Sequence, residues 1–187
     1  MAAEPAWVKD ILSHMCDLAL ALLDMIWEEG YTFDELMWFD DMGYRNGLLF
    51  SKDMWRDMVR PYQVRTIEWA HAHDVKAHLH SCGNIMALVP ELVDMGLDAL
   101  NPMEVKSGMD PMGIKDEFGN ELLLRGGFDV RNWDAYEEAE KAIQTKLPHM
   151  MEQGGYIFSS DHSIPDSIDF ETYSRIVELV KEVGQYD

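Results

Sequence analysis

The chain has 187 residues, of which 47% are apolar, so it can bury a core and carries too little charge to stay disordered. Acidic residues outnumber basic ones by 35 to 15, and the net charge of -20 opposes binding to nucleic acid or to anionic lipid over a large surface. No window reaches the about 18 uninterrupted apolar residues of a membrane-spanning helix, and the first residues lack the basic and apolar regions of a signal peptide. We therefore expect a cytoplasmic globular protein that acts on a small molecule.

Apolar residues recur at helical spacing from Trp7 to Glu29, which predicts an N-terminal helix within residues 1–30 whose apolar stripe packs in the core. Downstream, short apolar runs of strand length alternate with amphipathic stretches of helical length, as in repeated βα units. Strands are predicted at 35–39, 75–80, 99–103, 122–125 and 156–160, and helices at 51–72, 85–95, 134–153 and 169–184.

This alternation predicts an α/β fold in one domain, residues 1–187, with the barrel part at 31–187. A complete (β/α)8 TIM-type barrel has eight strands and typically about 250 residues. About five βα units are visible here, so a partial barrel is expected. Because an open sheet edge tends to pair with another strand, we expect a homodimer or a partner chain to complete the barrel.

The run from Lys76 to Gly83 is the strongest candidate for chemistry. Strand alternation puts His78, His80 and Cys82 on one face of the predicted strand and leaves the aliphatic residues for the other face. Imidazole and thiolate two residues apart can bind one zinc ion. The alternative is that His80 and Cys82 are packing residues.

Further candidates follow the other strands, because ligands bind at the carboxyl ends of parallel strands. His162 could supply a third ligand and Asp161 a fourth. The alternative is that Ser160 and Asp161 cap the next turn while His162 lies in solvent. Glu104 could be a ligand, a partner of a histidine, or a general acid or base.

Asp40 and Asp41 are adjacent and point opposite ways if the chain is extended, so at most one of them is expected to face the site. Tyr44, with Arg45 beside it, could bind an anionic group. Phe128 and Asp129, which follow the fourth predicted strand, are further candidates for substrate contact. For Asp129 we place a role as the cap of the next helix ahead of substrate contact.

Three runs together resemble the uroporphyrinogen decarboxylase superfamily. They are Asp40-Asp-Met-Gly-Tyr-Arg-Asn-Gly-Leu with Ser51-Lys-Asp-Met-Trp-Arg and Pro61-Tyr62, Leu100-Asn-Pro-Met-Glu with Gly108-Met-Asp110, and Gly155-Tyr to Ile164-Pro. Their order and spacing agree as well as their content, and the resemblance covers most of the chain from about Asp34 onward. It implies a (β/α)8 barrel with its site at the carboxyl end, of which this chain is the C-terminal part and lacks the N-terminal units.

The resemblance also implies a chemistry. Corrinoid-linked methyltransferases of the superfamily hold zinc with a His-x-Cys-Gly run, which His80 to Gly83 matches, and with a later Cys, where this chain has His162. The implied zinc set is therefore His80, Cys82 and His162. The zinc would activate a thiol or methoxy compound for exchange of a methyl group with a corrinoid, carried by a possible corrinoid protein, with Glu104 and Asp41 as catalytic carboxylates and Asp40, Tyr44, Phe128 and Asp129 as substrate contacts.

Two other functions remain open. The decarboxylases of the superfamily carry a His in the region of His162, which suggests a cofactor-free decarboxylase of a tetrapyrrole or other organic acid, with Asp40 or Asp41 stabilising the protonated ring. Their arginine-rich early segment has no counterpart in the first 30 residues, which favours the methyltransferase branch. The third reading is a non-catalytic half-barrel that needs a partner chain.

Overall fold

A computed structural model describes residues 1–186 of the chain; the predicted domain extends to Asp187, which lies outside the described residues. The helices are α1 (Pro5–Glu28), α2 (Lys52–Met58), α3 (Arg60–Ala72), α4 (Val89–Asp94), α5 (Pro111–Phe118), α6 (Tyr136–Met151) and α7 (Phe170–Val183). The strands are β1 (Glu35–Phe39), β2 (Gly43–Tyr44), β3 (Gly47–Leu48), β4 (Lys76–His80), β5 (Ala99–Asn101), β6 (Leu123–Arg125) and β7 (Tyr156–Ile157).

Five strands form one parallel sheet in the order β1-β4-β5-β6-β7, with helices between successive strands. A sheet whose spatial order follows the chain order is the wall of a (β/α) barrel. The predicted α/β fold and the partial TIM-type barrel of about five units are therefore confirmed. Within residues 1–186, β1 and β7 each pair on one side only, so both edges of the wall are open.

The predicted ends of several elements were wrong, and prolines account for most of the differences. The helix predicted over 51–72 is two helices that meet at Val59, because Pro61 cannot donate a backbone hydrogen bond and instead occupies the first turn of α3. Pro90 likewise lies in the first turn of α4, which is shorter than the predicted 85–95. β5 ends at Asn101 because Pro102 has no N–H to continue the ladder.

Two further boundaries differ from the sequence prediction. The predicted strand 156–160 is regular only over Tyr156–Ile157, although Ser160 forms an isolated parallel bridge with Phe128. The helix predicted over 134–153 begins at Tyr136 and follows a short 3-10 helix, Val130–Asp134.

The two faces of the sheet have different chemistry. Ala77, Leu79, Leu100 and Leu124 are at most 1% exposed and pack with the helices in a core that includes Trp55. The alternate residues point to the opposite face, which is the lumen of a complete barrel. That lumen face carries polar side chains, and it is where the candidate site lies.

Helix α1 does not pack as the sequence predicts. Cys16 is its one buried residue, because the helix touches α2 and α3 along a narrow side through contacts such as Trp69 Nε1 to Asp24 Oδ1 (2.6 Å) and Arg65 to Asp17 (2.6 Å). The predicted core stripe is therefore largely wrong. Apolar residues on its outer side are exposed by 44 to 66%, namely Trp7, Ile11, Met15, Leu18, Leu22, Met25 and Ile26.

Among residues 1–186, no helix combines the length and the apolar character needed to cross a lipid bilayer.

Leu79 tests the assignment of the core face. Leu79→Ala removes a side chain that is 0% exposed at the centre of β4, and we expect urea denaturation to show a loss of about 2–5 kcal/mol in the free energy of unfolding. The control is Leu49→Ala, because Leu49 is 58% exposed and its truncation should cost less than about 0.5 kcal/mol. Similar losses in the two variants would contradict the assignment.

Candidate functional site

One row of residues crosses the lumen face near the carboxyl ends of the strands. Phe39 lies opposite His80, and His80 lies opposite Asn101, in the register of β1, β4 and β5. The register of β5 and β6 pairs Leu100 with Leu124, so the next residue on each strand continues the row to Arg125. The mouth of the barrel wall therefore presents one aromatic ring, one imidazole, one amide and one guanidinium side by side.

The loop after β4 is fixed by a close approach of two backbones at Gly43 and Gly83. A Cβ built on Gly43 would lie 2.6 Å from the backbone N of Asn84, and one built on Gly83 would lie 2.3 Å from the carbonyl carbon of Gly43. Gly83 also has a φ of +79°, a conformation that other residues rarely adopt. Only glycine fits at either position, and the contact brings the segment after β1 against Cys82.

The backbone N–H groups of this loop all have protein acceptors. Ser81 N donates to Asn101 O (2.9 Å), and Asn84 N donates to Tyr44 O (2.9 Å). Cys82 N donates to Asp41 Oδ1 (2.9 Å), and Gly83 N donates to Glu104 Oε2 (2.8 Å). The two carboxylates thus hold the loop from opposite sides.

Asp41, His80 and Cys82 form a compact group of possible metal ligands, with one ligand atom from each within 4.8 Å of the others. His80 Nε2 lies 3.4 Å from Cys82 Sγ and 3.8 Å from Asp41 Oδ1. Tetrahedral zinc, with Zn–N of about 2.0–2.1 Å and Zn–S of about 2.3 Å, separates its nitrogen and sulfur ligands by about 3.5 Å. The donor set and its spacing therefore fit zinc.

The protonation of His80 also suits a ligand. Burial lowers the pKa of His80, and the nearby charges of His78 and Arg125 act in the same direction, while Asp41 opposes them. The imidazole is therefore neutral near pH 7, the form that binds a metal. Its Nδ1 is buried and has no hydrogen-bond partner among residues 1–186.

Cys82 is a protonated thiol in the metal-free protein. Burial raises the pKa of Cys82 to about 11, and the negative charges of Asp41 and Glu104 add to the effect. A divalent cation would reverse this balance, because a metal binds the thiolate and releases the proton. The carboxylates that disfavour a bare thiolate are the same groups that attract a cation.

Glu104 is 7% exposed, and its carboxylate positions the loop after β4. Its Oε2 accepts hydrogen bonds from Gly83 N and Ser107 Oγ (2.8 Å each), and Lys106 lies 2.9 Å from its Oε1. Burial works to raise the pKa of Glu104, but the bonds from Lys106, Ser107 and Gly83 together lower it. The carboxylate is therefore ionised and holds the Cys82 loop.

Asp161 joins the three loops that follow β5, β6 and β7. It is fully buried, and its two oxygens accept hydrogen bonds from Val105 N (3.0 Å) and Val130 N (3.1 Å), while its own N–H donates to Phe128 O (2.9 Å). Burial raises the pKa of Asp161 despite these bonds. Asp161 was predicted as a possible ligand, but both of its carboxylate oxygens accept backbone hydrogen bonds that support the loops behind the site.

The two adjacent aspartates diverge, as the extended chain predicts. Asp41 faces Cys82, whereas Asp40 turns towards the helices, where its Oδ2 accepts hydrogen bonds from Trp38 Nε1 (3.1 Å) and Gln63 Nε2 (2.9 Å). Burial raises the pKa of Asp40. The structure therefore brings only Asp41 to the candidate metal group, and it places Asp40, predicted as a substrate contact, on the helix side of β1.

The remaining predicted residues lie apart from this group. His162 is exposed in the loop after β7 and is not among the three clustered ligands, so its part in a metal site stays a prediction. Tyr44 is exposed on the β2–β3 hairpin.

The two residues predicted after β6 are both engaged within the protein. Phe128 is buried against Tyr156 and Phe158. Asp129 caps the 3-10 helix by accepting a hydrogen bond from Arg131 N, and it pairs with the Arg131 side chain.

Sequence reasoning did not name two lumen residues, Asn101 and Arg125, as candidates for the site. Asn101 and Arg125 join the row of His80 through strand register, and His78 donates to or accepts from Glu35 Oε1 at 2.6 Å through its Nδ1. The alternation of β4 placed His78 on the correct face. The strand ends could have indicated Arg125, the last residue of the predicted strand 122–125, whereas Asn101 lies inside the predicted strand 99–103 and becomes a strand end only because β5 stops there.

The parallel wall and the cluster at the carboxyl ends of its strands define a (β/α)-barrel protein with its site at the barrel mouth. The chain belongs to the family described as Uroporphyrinogen decarboxylase (URO-D), whose profile matches residues 1–183. It is similar to the uroporphyrinogen decarboxylases of Staphylococcus aureus strains JH9 and Newman, at 26% identity over 97% of this chain and 50% of theirs. The predicted resemblance to the superfamily is confirmed.

A solved structure of a methyltransferase from Methanosarcina mazei has a similar fold, with a TM-score of 0.59 and 20% sequence identity. The match covers 89% of this chain and 47% of that chain. This chain thus spans about half the length of its curated relatives and of its structural neighbour.

The pKa of Cys82 gives a prediction for the metal-free protein. Because that pKa is raised to about 11, the thiol stays protonated at neutral pH, and its alkylation by iodoacetamide should keep accelerating up to about pH 10. The rate is measured in a Cys16→Ser background, with Cys16→Ser/Cys82→Ser as the blank. A rate that levels off near pH 8 to 9, the ordinary range for a thiol, would contradict the assigned environment.

Proposed function

We propose that the protein is a zinc-dependent methyltransferase that moves a methyl group between a corrinoid and a thiol or methoxy compound. The observation that supports the proposal most directly is the group formed by Asp41, His80 and Cys82, whose nitrogen, sulfur and oxygen atoms have the spacing of zinc ligands. A zinc ion held there would lower the pKa of a bound thiol or polarise a methoxy oxygen. The methyl-corrinoid would be supplied by a separate corrinoid protein.

The surrounding residues hold these ligands in place. Asp41 binds the backbone of Cys82, and Glu104 binds the backbone of Gly83, so the loop that carries the thiol cannot shift without breaking two charge-assisted hydrogen bonds. Such fixed geometry allows transfer only to a correctly oriented substrate. Glu104 acts here as a positioning residue, and Asp41 can exchange its bond to Cys82 N for a contact with the metal or with a substrate proton.

The lumen controls access of water and substrate. The Phe39 ring packs against the His80 ring at a tilt of 38°, with ring centroids 4.5 Å apart, and Phe39 is 68% exposed in this half-barrel. An apolar ring beside the ligand group would face the methyl group and exclude water from it once the barrel wall is complete. Tyr44, exposed above the Gly43 crossing, is placed to contact a substrate that enters from the mouth.

A cofactor-free decarboxylase is the second candidate. It is favoured by the names of the curated relatives, which are uroporphyrinogen decarboxylases at 26% identity. In that function Asp41, exposed at the mouth, would stabilise a protonated ring, and His162 would donate a proton. Such an activity would be indifferent to chelators and abolished by Asp41→Asn.

Metal analysis of the purified protein separates the two candidates. Protein prepared without chelator should contain about one zinc per chain, and His80→Ala and Cys82→Ala should each lower the content at least about tenfold, because each removes a ligand. Cys16→Ala is the matched control, since Cys16 lies on α1 and should leave the zinc content unchanged. Absence of zinc together with no effect of Cys82→Ala would overturn the methyltransferase proposal.

The third ligand is decided by the same measurement on two more variants. If Asp41 completes the set, Asp41→Asn lowers zinc affinity at least about tenfold and His162→Ala does not. The reverse result would favour the set of His80, Cys82 and His162 that the family resemblance implies.

We also propose that a partner completes the barrel. A barrel of eight strands needs three more than the five present, so a partner with three βα units fits the count better than a second copy, which would bring ten strands. Met15, on the exposed apolar side of α1, lines the same groove as Leu36 and Phe39 of the edge strand β1, and such a partner would cover this side.

Sedimentation of the protein with a co-purified or co-expressed partner tests the assembly. We expect a stable complex at micromolar concentration, and Met15→Glu should shift it towards free chain, because it puts a charge on the apolar side of α1. Asn120→Glu is the control, since Asn120 is exposed in the turn between α5 and β6, away from both open edges of the wall. Sedimentation as a homodimer would contradict a separate partner chain. A stable monomer with full zinc content and activity would contradict any assembly.

A further inference from the structure

A buried amide lies on the helix side of the wall, behind the candidate metal ligands. Gln63 of α3 is 3% exposed, between side chains of Trp55 and Met42 that are 0% and 2% exposed. Its Oε1 accepts a hydrogen bond from Trp55 Nε1 (3.0 Å), and its Nε2 donates to Asp40 Oδ2 (2.9 Å) and to Met42 Sδ (3.5 Å). Since an apolar side chain of similar size could fill this space with no polar group to satisfy, the amide calls for a reason beyond packing.

The hydrogen bonds of Gln63 act on both sequence neighbours of Asp41. Successive side chains of an extended chain point to opposite faces, so Asp40 and Met42 face α3 while Asp41 faces the lumen. The contacts agree, because Gln63 holds the two neighbours and Asp41 Oδ1 accepts from Cys82 N (2.9 Å). One amide therefore holds the chain on either side of the carboxylate that belongs to the candidate metal group.

The same segment is also fixed to the sheet through its backbone. Asp40 N donates to His80 O (2.9 Å), and Met42 N donates to Ser81 Oγ (3.1 Å). These two bonds keep the segment beside the end of β4, but they leave the chain between them able to turn about the line that joins them. Gln63 contacts the segment from the other direction, and it thereby fixes where the side chain between these two residues points.

An amide has the hydrogen-bonding groups that this place requires. It supplies an acceptor for the Trp55 indole and donors for Asp40, whose Oδ2 also accepts from Trp38 Nε1 (3.1 Å). Gln63→Glu keeps the acceptor, removes the donors and sets a second carboxyl group against Asp40. Gln63→Met keeps the length of the side chain and removes the acceptor and the donors together.

We infer that Gln63 is a positioning residue for the candidate metal group: by holding the neighbours of Asp41 from α3, it keeps that carboxylate against the loop of Cys82. The inference rests on the proposed function where it concerns metal binding. It adds a residue that acts from the helix layer, because Gln63 lies on the opposite side of β1 from the lumen. A change in that layer would therefore alter the site with every lumen residue unchanged.

Amide hydrogen exchange, followed by NMR on the metal-free protein, tests the inference. We expect Gln63→Glu to accelerate exchange of the Cys82 N–H at least about tenfold, because its acceptor Asp41 is no longer held in place. The Gly83 N–H is the internal reference, since Glu104 holds it independently, and its exchange should change less than about threefold. Equal acceleration at both amides would indicate a general loss of stability and would overturn the inference, as would an unchanged Cys82.

Two further variants separate positioning from packing. Gln63→Glu/Asp40→Asn exchanges the two groups, so their hydrogen bond is restored with donor and acceptor reversed, and slow exchange at Cys82 should return. Thr66→Val is the matched control, because the Thr66 hydroxyl on the same helix donates to Tyr62 O (3.1 Å) and its loss should leave the Cys82 amide unchanged. If Gln63→Glu does not fold, Gln63→Met takes its place. A double variant in which exchange stays fast counts against the inference.

Zinc affinity, measured by competition with a chelator, is the second readout. Gln63→Glu should weaken zinc binding about tenfold and the double variant should restore it to within about threefold, because groups that hold a metal ligand in place typically have effects of this size. If Asp41→Asn lowers the affinity and Gln63→Glu does not, the inference is overturned while the proposed function stands. If the unaltered protein binds no zinc, the proposed function fails, and exchange at Cys82 alone decides whether Gln63 positions Asp41. The same readout decides if zinc binds without Asp41.

Discussion

The contact between the backbones at Gly43 and Gly83 is the constraint on which the site depends. Neither position has room for a Cβ, so two loops that are 40 residues apart in sequence lie in direct contact. That contact carries Asp41 to Cys82 and turns the end of β4 so that His80 and Cys82 face the same space. A side chain at either glycine would push the loops apart by more than the tolerance of a metal site, which is a few tenths of an ångström.

The group of ligands was predictable in part. The alternation of β4 placed His80 and Cys82 on one face because side-chain direction in a strand has a period of two residues. The addition of Asp41 was not predictable, since it depends on a close approach of distant loops. Asn101 and Arg125 were missed for a related reason: strand register decides which residues become neighbours, and a single sequence does not state the register.

The fold was easier to predict than the packing. The order of strands and helices follows from local patterns, so five parallel strands were found close to their true positions. Helix α1 shows where this reasoning fails, because its apolar periodicity predicted burial and its outer side is exposed. Periodicity identifies the face of a helix that seeks apolar contact, but it does not say whether the contact lies within the same chain.

The loops at the mouth of the barrel depend on one residue, Asp161. One buried carboxylate connects the loops after β5, β6 and β7, and each oxygen has one backbone donor to satisfy. Substitution by asparagine would replace one acceptor with a donor and set it against a backbone N–H, which is worse than losing the bond. Three loops therefore share one position that tolerates no substitution, and a change of specificity at this mouth would have to come from the loop tips while their bases stay fixed.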